Sequence, residues 1–249
     1  MKIKIAAISY TNTLPFIYGL KHFMDNDLFD LQLAYPSNCS KLLLENKVDL
    51  ALMPVASLLA MPEANIISEY CIGADGPVET VCIYSEVPIT EIDSILLDYQ
   101  SKSSVMLSKI LLKESWKIAP KQIEAEEGFI EKIKGKTAGL VIGDRAFDLN
   151  QSYPYVYDLA EIWKELTGLP FVFAAWVASK ELPLNFTIAL NSALAQGVDN
   201  IDAAINDFVK DASDSETMQK YLNRRIDYRL DSQKQKALKL FLDYGKKLE

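Results

Sequence analysis

Small polar residues gather at three places in the chain where binding chemistry can be built. Ser9-Tyr10-Thr11-Asn12 follows an apolar alternating run, Thr80 comes shortly after Gly76-Pro77, and Ser101-Lys102-Ser103-Ser104 precedes a helical pattern. All three fall at strand ends or helix starts. A helix N-terminus carries unpaired N–H groups and the positive end of the peptide dipole, so such segments can hold a carboxylate without a basic side chain. Together they fit a small anionic ligand. Taken singly, each also reads as ordinary capping: Ser101 to Ser104 as a serine cap, and Asn12-Thr13-Leu14-Pro15 as a cap with proline in the first turn.

Other chemistries lack their residues. The sequence has one histidine, His22, beside Lys21 in the helical pattern Phe16, Ile17, Leu20, Phe23, which places it on a solvent-facing turn. No other histidine is available for a Ser-His-Asp triad, and zinc would need an unusual all-Cys/Asp set. Cys39, Cys71 and Cys82 show no CxxC or metal-ligand spacing and read as reduced, buried small hydrophobes. No GxGxxG or GxxxxGK[ST] run occurs, so a nucleotide cradle has no support. Of four arginines, Arg224, Arg225 and Arg229 lie late in the chain on an expected solvated face. Arg145 follows the apolar run Gly139 to Ile142 and the pair Gly143-Asp144, where an α/β sheet sets residues at its carboxyl edge. That turn reads equally as structure or as ligand contact. Trp163 and Trp176 read as packing residues.

The elements that must position these groups alternate. Strand-like runs at Lys2 to Ile8, Leu31 to Tyr35, Leu50 to Pro54 and Ile66 to Cys71 are interleaved with helical patterns after Thr13 and Ser37, the latter opened by the polar cluster Ser37 to Ser40. A second α/β series follows Gly76-Pro77: a strand from Val78 to Ser85, another from Ile95 to Asp98, a helix from Ser103 to Trp116 and a strand from Gly139 to Ile142. Phe171 to Ser179 is apolar throughout, as a strand covered on both faces requires. Asn185 to Gln196, Ile201 to Ala212, Glu216 to Arg224 and Asp231 to Leu248 carry amphipathic helical spacing. The expectation is an α/β protein of two lobes, residues 1–83 with 175–249 and residues 84–174, with a ligand cleft between them.

Composition bounds the rest. The 249 residues are 49% hydrophobic and 24% charged, the balance of a folded protein. A net charge of −8 offers no basic field for nucleic acid. The apolar stretch Leu50 to Met61 is broken by Pro54 and falls short of the roughly 20 residues that a membrane span needs. With no secretion signal visible in the opening residues, a cytoplasmic address is expected. The mixed acidic surface is compatible with monomer or homodimer.

At Ile8-Ser9-Tyr10-Thr11-Asn12-Thr13-Leu14-Pro15-Phe16 the sequence resembles the signature of the menaquinone-biosynthesis family that contains chorismate dehydratase of the futalosine pathway. Further matches follow in order at Asp49 to Val55, Gly76 to Val78, Leu97-Asp98 with Ser101 to Val105, Leu140 to Ala146, and Trp163 to Ala174. The resemblance implies a periplasmic-binding-protein-like fold of the two-lobed, two-crossover type (type II), with two mixed sheets flanked by helices. It also implies loss of water from chorismate to give 3-[(1-carboxyvinyl)oxy]benzoate, without a cofactor. Asn12 and a hydroxyl at Thr80 would hold the reacting end. Ser9, Tyr10, Thr11, Ser101, Ser103, Ser104, Gly143 and Asp144 would bind the substrate's carboxylates and ring hydroxyl. Two positions depart from the family pattern: Thr80 stands where serine is usual, and Thr11 where an apolar residue is common. A related naphthoate-forming enzyme on the same fold uses a histidine base, and His22 lies outside that position. The reading from another class is a non-catalytic solute-binding protein for a small anion, since fold alone does not fix function.

Overall fold

In a computed structural model of the chain, residues 2–149, 152–208 and 212–248 are described. Strands β1 (Ile3–Ile8), β2 (Phe29–Ala34) and β3 (Leu50–Pro54) pair in parallel with β1 in the middle. β4 (Asn65–Ala74) leads into a second sheet made of β5 (Val81–Ser85), β6 (Ser94–Leu97), β7 (Lys121–Glu124), β8 (Thr137–Ile142) and β9 (Tyr155–Asp158). The chain then returns through α4 (Leu159–Thr167) to β10 (Phe171–Ala178), which lies antiparallel between β3 and β4. Each sheet mixes parallel and antiparallel pairs: β6 runs parallel to β7 and β8, whereas β5 runs antiparallel to β8 and β9. Every residue of β10 is buried, in keeping with its unbroken apolar run. β5 lies wholly in the second sheet and β10 wholly in the first. By sheet membership, then, the chain changes over within 75–80 and 159–170, a few residues ahead of the boundaries expected at 83/84 and 174/175.

Several elements fall where periodicity puts them, with differences at the ends. α2 (Pro36–Leu44) starts at the proline, so Ser37 to Ser40 form its first turns instead of capping it from outside. β7, β9 and the short β11 (Asp227–Arg229) carry no alternation that periodicity can register, and β7 is an exposed edge. α5 (Leu184–Asp199), α6 (Ile201–Phe208), α7 (Ala212–Arg224) and α8 (Ser232–Gly245) form the helical C-terminal region. Part of the helix expected over Ile201 to Ala212 falls at residues 209–211, outside the described residues. Near the chain end, buried Lys234 in α8 reaches Asp227 (2.5 Å) and Asp231 (3.1 Å), tying α8 to β11 at the sheet edge.

Two features set the position of the segment after β1. α1 (Leu14–Phe23) packs on α5 with no side chain between their backbones at Gly19 and Gly197; a Cβ on Gly197 would lie 1.9 Å from the Pro15 carbonyl oxygen. The changeovers between sheets are pinned by one carboxylate. Asp158 accepts from Val78 N–H (2.8 Å) and Glu79 N–H (2.6 Å) on one changeover, and from Ala160 N–H (2.9 Å) and Glu161 N–H (3.2 Å) on the other. Burial pushes its carboxyl up to about 6 against the pull of these donors. A folded pKa above the unfolded value of about 3.9 makes this group favour folding most when protonated, so its contribution is full below about pH 4 and lost as pH rises through about 6. Carboxyl-carbon NMR titration is expected to place the Asp158 midpoint near 6, and an ordinary midpoint near 4 would contradict this.

Candidate functional site

The carboxyl ends of β1, β3 and β8 converge on one cleft, the usual ligand position in an open α/β sheet. Ile8, Pro54 and Ile72 line it with Phe173 and Ala174 of the returning β10, together with Val78 of the first changeover and Val81 and Ile142 of the second sheet. Its polar lining is brief: Tyr10, Asn12, Thr80, Ser101 and Ser104.

Asn12 sits in a short 3-10 turn, Thr11–Thr13, between β1 and α1. No side-chain cap bond forms at either helix start, so the capping reading does not hold for Asn12. Its carbonyl accepts from Tyr228 Oη (3.1 Å), and its amide oxygen accepts from Thr13 Oγ1 (3.2 Å). Tyr221 Oη lies 2.7 Å from Thr80 Oγ1. Gly143 donates its N–H to the Thr80 carbonyl (2.9 Å) and needs its positive φ of 70°; a Cβ there would meet the Tyr10 ring at 2.8 Å.

Ser101 does cap α3 (Lys102–Glu114), accepting from Ser104 N–H at 3.2 Å, and its hydroxyl donates to Ser104 Oγ at 3.1 Å. Ser103 points elsewhere: its Oγ accepts from Ala56 N–H (3.1 Å), fixing α3 to the turn after β3. One wall is braced by Asp98, whose side chain is fully buried. It accepts from Arg145 Nη2 (2.6 Å), Ile142 N–H (3.0 Å) and Gln100 N–H (3.0 Å). Burial raises its carboxyl pKa, opposed chiefly by the Arg145 charge. Gln100 Oε1 accepts from both Arg145 Nη2 (3.0 Å) and the Tyr10 hydroxyl, joining this wall to the segment after β1.

A family profile described as menaquinone biosynthesis matches residues 3–247. The chain belongs to that family. Over 192 residues, 70% of this chain and 69% of the relative, it is 29% identical to a chorismate dehydratase of Thermus thermophilus. A crystal structure of an Archaeoglobus fulgidus protein superposes with a TM-score of 0.76 at 14% identity, covering 99% of this chain and 97% of that one. A Candida albicans gene product with the generic periplasmic binding protein structural fold gives 0.58 at 11% identity, with coverage of 99% and 94%. These structural likenesses establish the fold as periplasmic-binding-protein-like.

In this member of the menaquinone-biosynthesis family, the residues singled out from sequence divide into two groups. Tyr10, Asn12, Thr80, Ser101, Ser104 and Gly143 line the cleft together. Ser9 is exposed at the end of β1, where its N–H donates to the Ala34 carbonyl. Thr11 N–H faces both carboxylate oxygens of Asp144 at 3.2 Å, so this pair latches the segment after β1 to the turn after β8. Arg145 braces Asp98 at 2.6 Å. His22 is exposed and paired with Asp207 at 3.2 Å, outside the cleft lining. Trp163 and Trp176 are fully buried, and the three cysteines are free and buried. Arg224 and Arg229 are exposed as expected, whereas Arg225 is part-buried and pairs with Glu79 at 2.6 Å. Tyr221, Tyr228 and Gln100 were not legible as site residues. The two tyrosines arrive from the C-terminal region, more than two hundred positions from Asn12 and with no local signal of where they dock. Among the described residues, no helix is long and apolar enough to cross a membrane.

Proposed function

We propose that this protein is a chorismate dehydratase, removing water from chorismate to give 3-[(1-carboxyvinyl)oxy]benzoate. The observation that carries this reading is the placing of Asn12 and Thr80 on one cleft lining. The Thermus thermophilus relative supports the same substrate.

In the reaction the substrate's enolpyruvyl carboxylate takes the proton from ring C3. The C3–H electron pair becomes the new C3–C4 double bond, and the C4 hydroxyl departs as water with the proton that the carboxyl group took from C3, which restores the carboxylate. Aromatisation drives the step, so the protein's work is orientation and charge stabilisation. Asn12 and Thr80 hydrogen-bond the reacting end, while the Ser104 hydroxyl and the start of α3 receive a substrate carboxylate. Tyr10 and the Gly143 backbone bound the ring.

Asn12→Ala is expected to lower kcat by about 100-fold or more, the usual cost of losing a hydrogen bond made to the reacting centre. Folding should be retained, because the Tyr228 bond is to the Asn12 backbone carbonyl and survives the change. Steady-state turnover of chorismate with a thermal melt checks both points, and unchanged kcat in a folded variant would overturn the assignment of Asn12.

A further inference from the structure

Apart from the cleft, the second sheet has a crevice of its own at the carboxyl ends of β6 and β7. Strand order there is β7-β6-β8, so the chain leaves β6 for β7 and then crosses back past β6 to β8. The two connections cover opposite faces. α3 shares one core with Ile95 and Leu97 of β6, whereas Phe129 of the second connection shares another with Leu96, and side chains alternate along a strand. Connections that part in this way open a crevice outside the strand ends, the position that ligands favour in an open α/β sheet. From α3 it is lined by Lys102, Val105 and Lys109, spaced three and four apart on one helix stripe. Lys102 is exposed and Lys109 half-buried, and among the described residues neither has an ion-pair or hydrogen-bond partner. In a chain of net charge −8, two unpaired lysines on one crevice reverse the local sign. Leu97 and Ala125 add apolar lining from the strand ends. Tyr99, 40% exposed, is a fixed wall: its hydroxyl accepts from Gln100 Nε2 at 3.0 Å, and the Arg145 guanidinium lies 5.7 Å from its ring centre.

We propose that this crevice is a second ligand site, for a small planar aromatic carboxylate that carries a hydroxyl group. The ring packs on Tyr99 and the apolar lining, and the carboxylate pairs with Lys102 and Lys109. The hydroxyl donates to the exposed Glu124 carboxylate, which also lines the crevice and repels any ligand with a second negative group at that end. Ser101, the cap of α3, lines both the crevice and the cleft, so the two sites are neighbours across the start of that helix. Nothing in this site depends on the dehydratase reading.

The test uses the full-length protein with 3-hydroxybenzoate as the probe, titrated at low ionic strength by calorimetry and by proton–nitrogen correlation NMR. Saturable binding is expected, with shifts centred on Tyr99, Lys102 and Ala125, and it should weaken as salt is raised. Lys102→Gln combined with Lys109→Gln is expected to weaken it by about 10-fold or more, the scale of losing a hydrogen bond to a charged group. Lys102→Gln alone, at an exposed position where folding is not at stake, should act in the same direction. Benzamide, which keeps the ring without the charge, should bind no better to the wild type than to the double variant. Asn12→Ala, a change in the cleft, should bind the probe as the wild type does. Absence of saturable binding, equal affinity in the double lysine variant, or binding lost in Asn12→Ala would each overturn the proposal. Chorismate turnover enters none of these readouts, so failure of the dehydratase reading leaves them unchanged.

Discussion

Asp98→Ala is expected to lower the free energy of unfolding by about 3–5 kcal/mol, the usual cost of breaking a buried pair by removing one partner. Asp98 is 1% exposed and answers three donors at once: the Arg145 guanidinium, Ile142 N–H and Gln100 N–H. Alanine leaves both backbone N–H groups without an acceptor in a dry wall, each carrying its own desolvation cost. Arg145 retains Gln100 Oε1 and the rings of Tyr99 and Phe129, near 5.7 and 5.9 Å, so part of its charge stays compensated. Gln100, freed at its backbone, would loosen its hold on the Tyr10 hydroxyl, and the cleft would lose a wall. The variant should therefore show a lower urea midpoint and reduced turnover together. A midpoint within experimental error of the wild type would contradict this account of the wall.

The second large effect is steric. Gly197→Ala is expected to cost about 1–3 kcal/mol or more, because the new methyl would sit 1.9 Å from the Pro15 carbonyl oxygen and 3.0 Å from Gly19 N. Those are backbone atoms, so relief requires α1 and α5 to separate. α1 begins at Leu14, two residues after Asn12, and any shift is passed to the cleft. Gly245→Ala is the informative contrast. Its Cβ would meet the Met106 side chain at 2.5 Å, and a flexible thioether end can move aside. Differential scanning calorimetry should show a large drop in melting temperature for Gly197→Ala and a much smaller one for Gly245→Ala. Equal effects would mean that the helix crossing is not the constraint described.

The sequence carries the fold further than it carries the site. Apolar runs such as Phe171 to Ala178 must be buried on both faces, so local pattern suffices there. β7 and β9, four residues each, lack that pattern because their places are set by partners elsewhere in the sheet. In the site, Ser101 was legible as a cap because capping is local. Ser103 looked equivalent to its neighbours, yet helical spacing turns it toward Ala56, and only three-dimensional packing separates it from Ser104. Asp144 and Thr11 were both legible as polar residues near strand ends. That they answer each other is a long-range fact. Tyr221 and Tyr228 lie furthest from legibility, since nothing in a helical stretch tells which of its aromatic residues will reach a loop at the other end of the chain.

The central claim is that this cleft converts chorismate, and the most direct measurement is incubation of the purified protein with chorismate, followed by chromatography with ultraviolet and mass detection. The account predicts a product lighter than chorismate by one water, with the absorbance of a substituted benzoate, forming at a rate proportional to enzyme and strongly reduced in Asn12→Ala. Chorismate that stays intact while raising the melting temperature would contradict it, and would make the cleft a receptor site for a small anion.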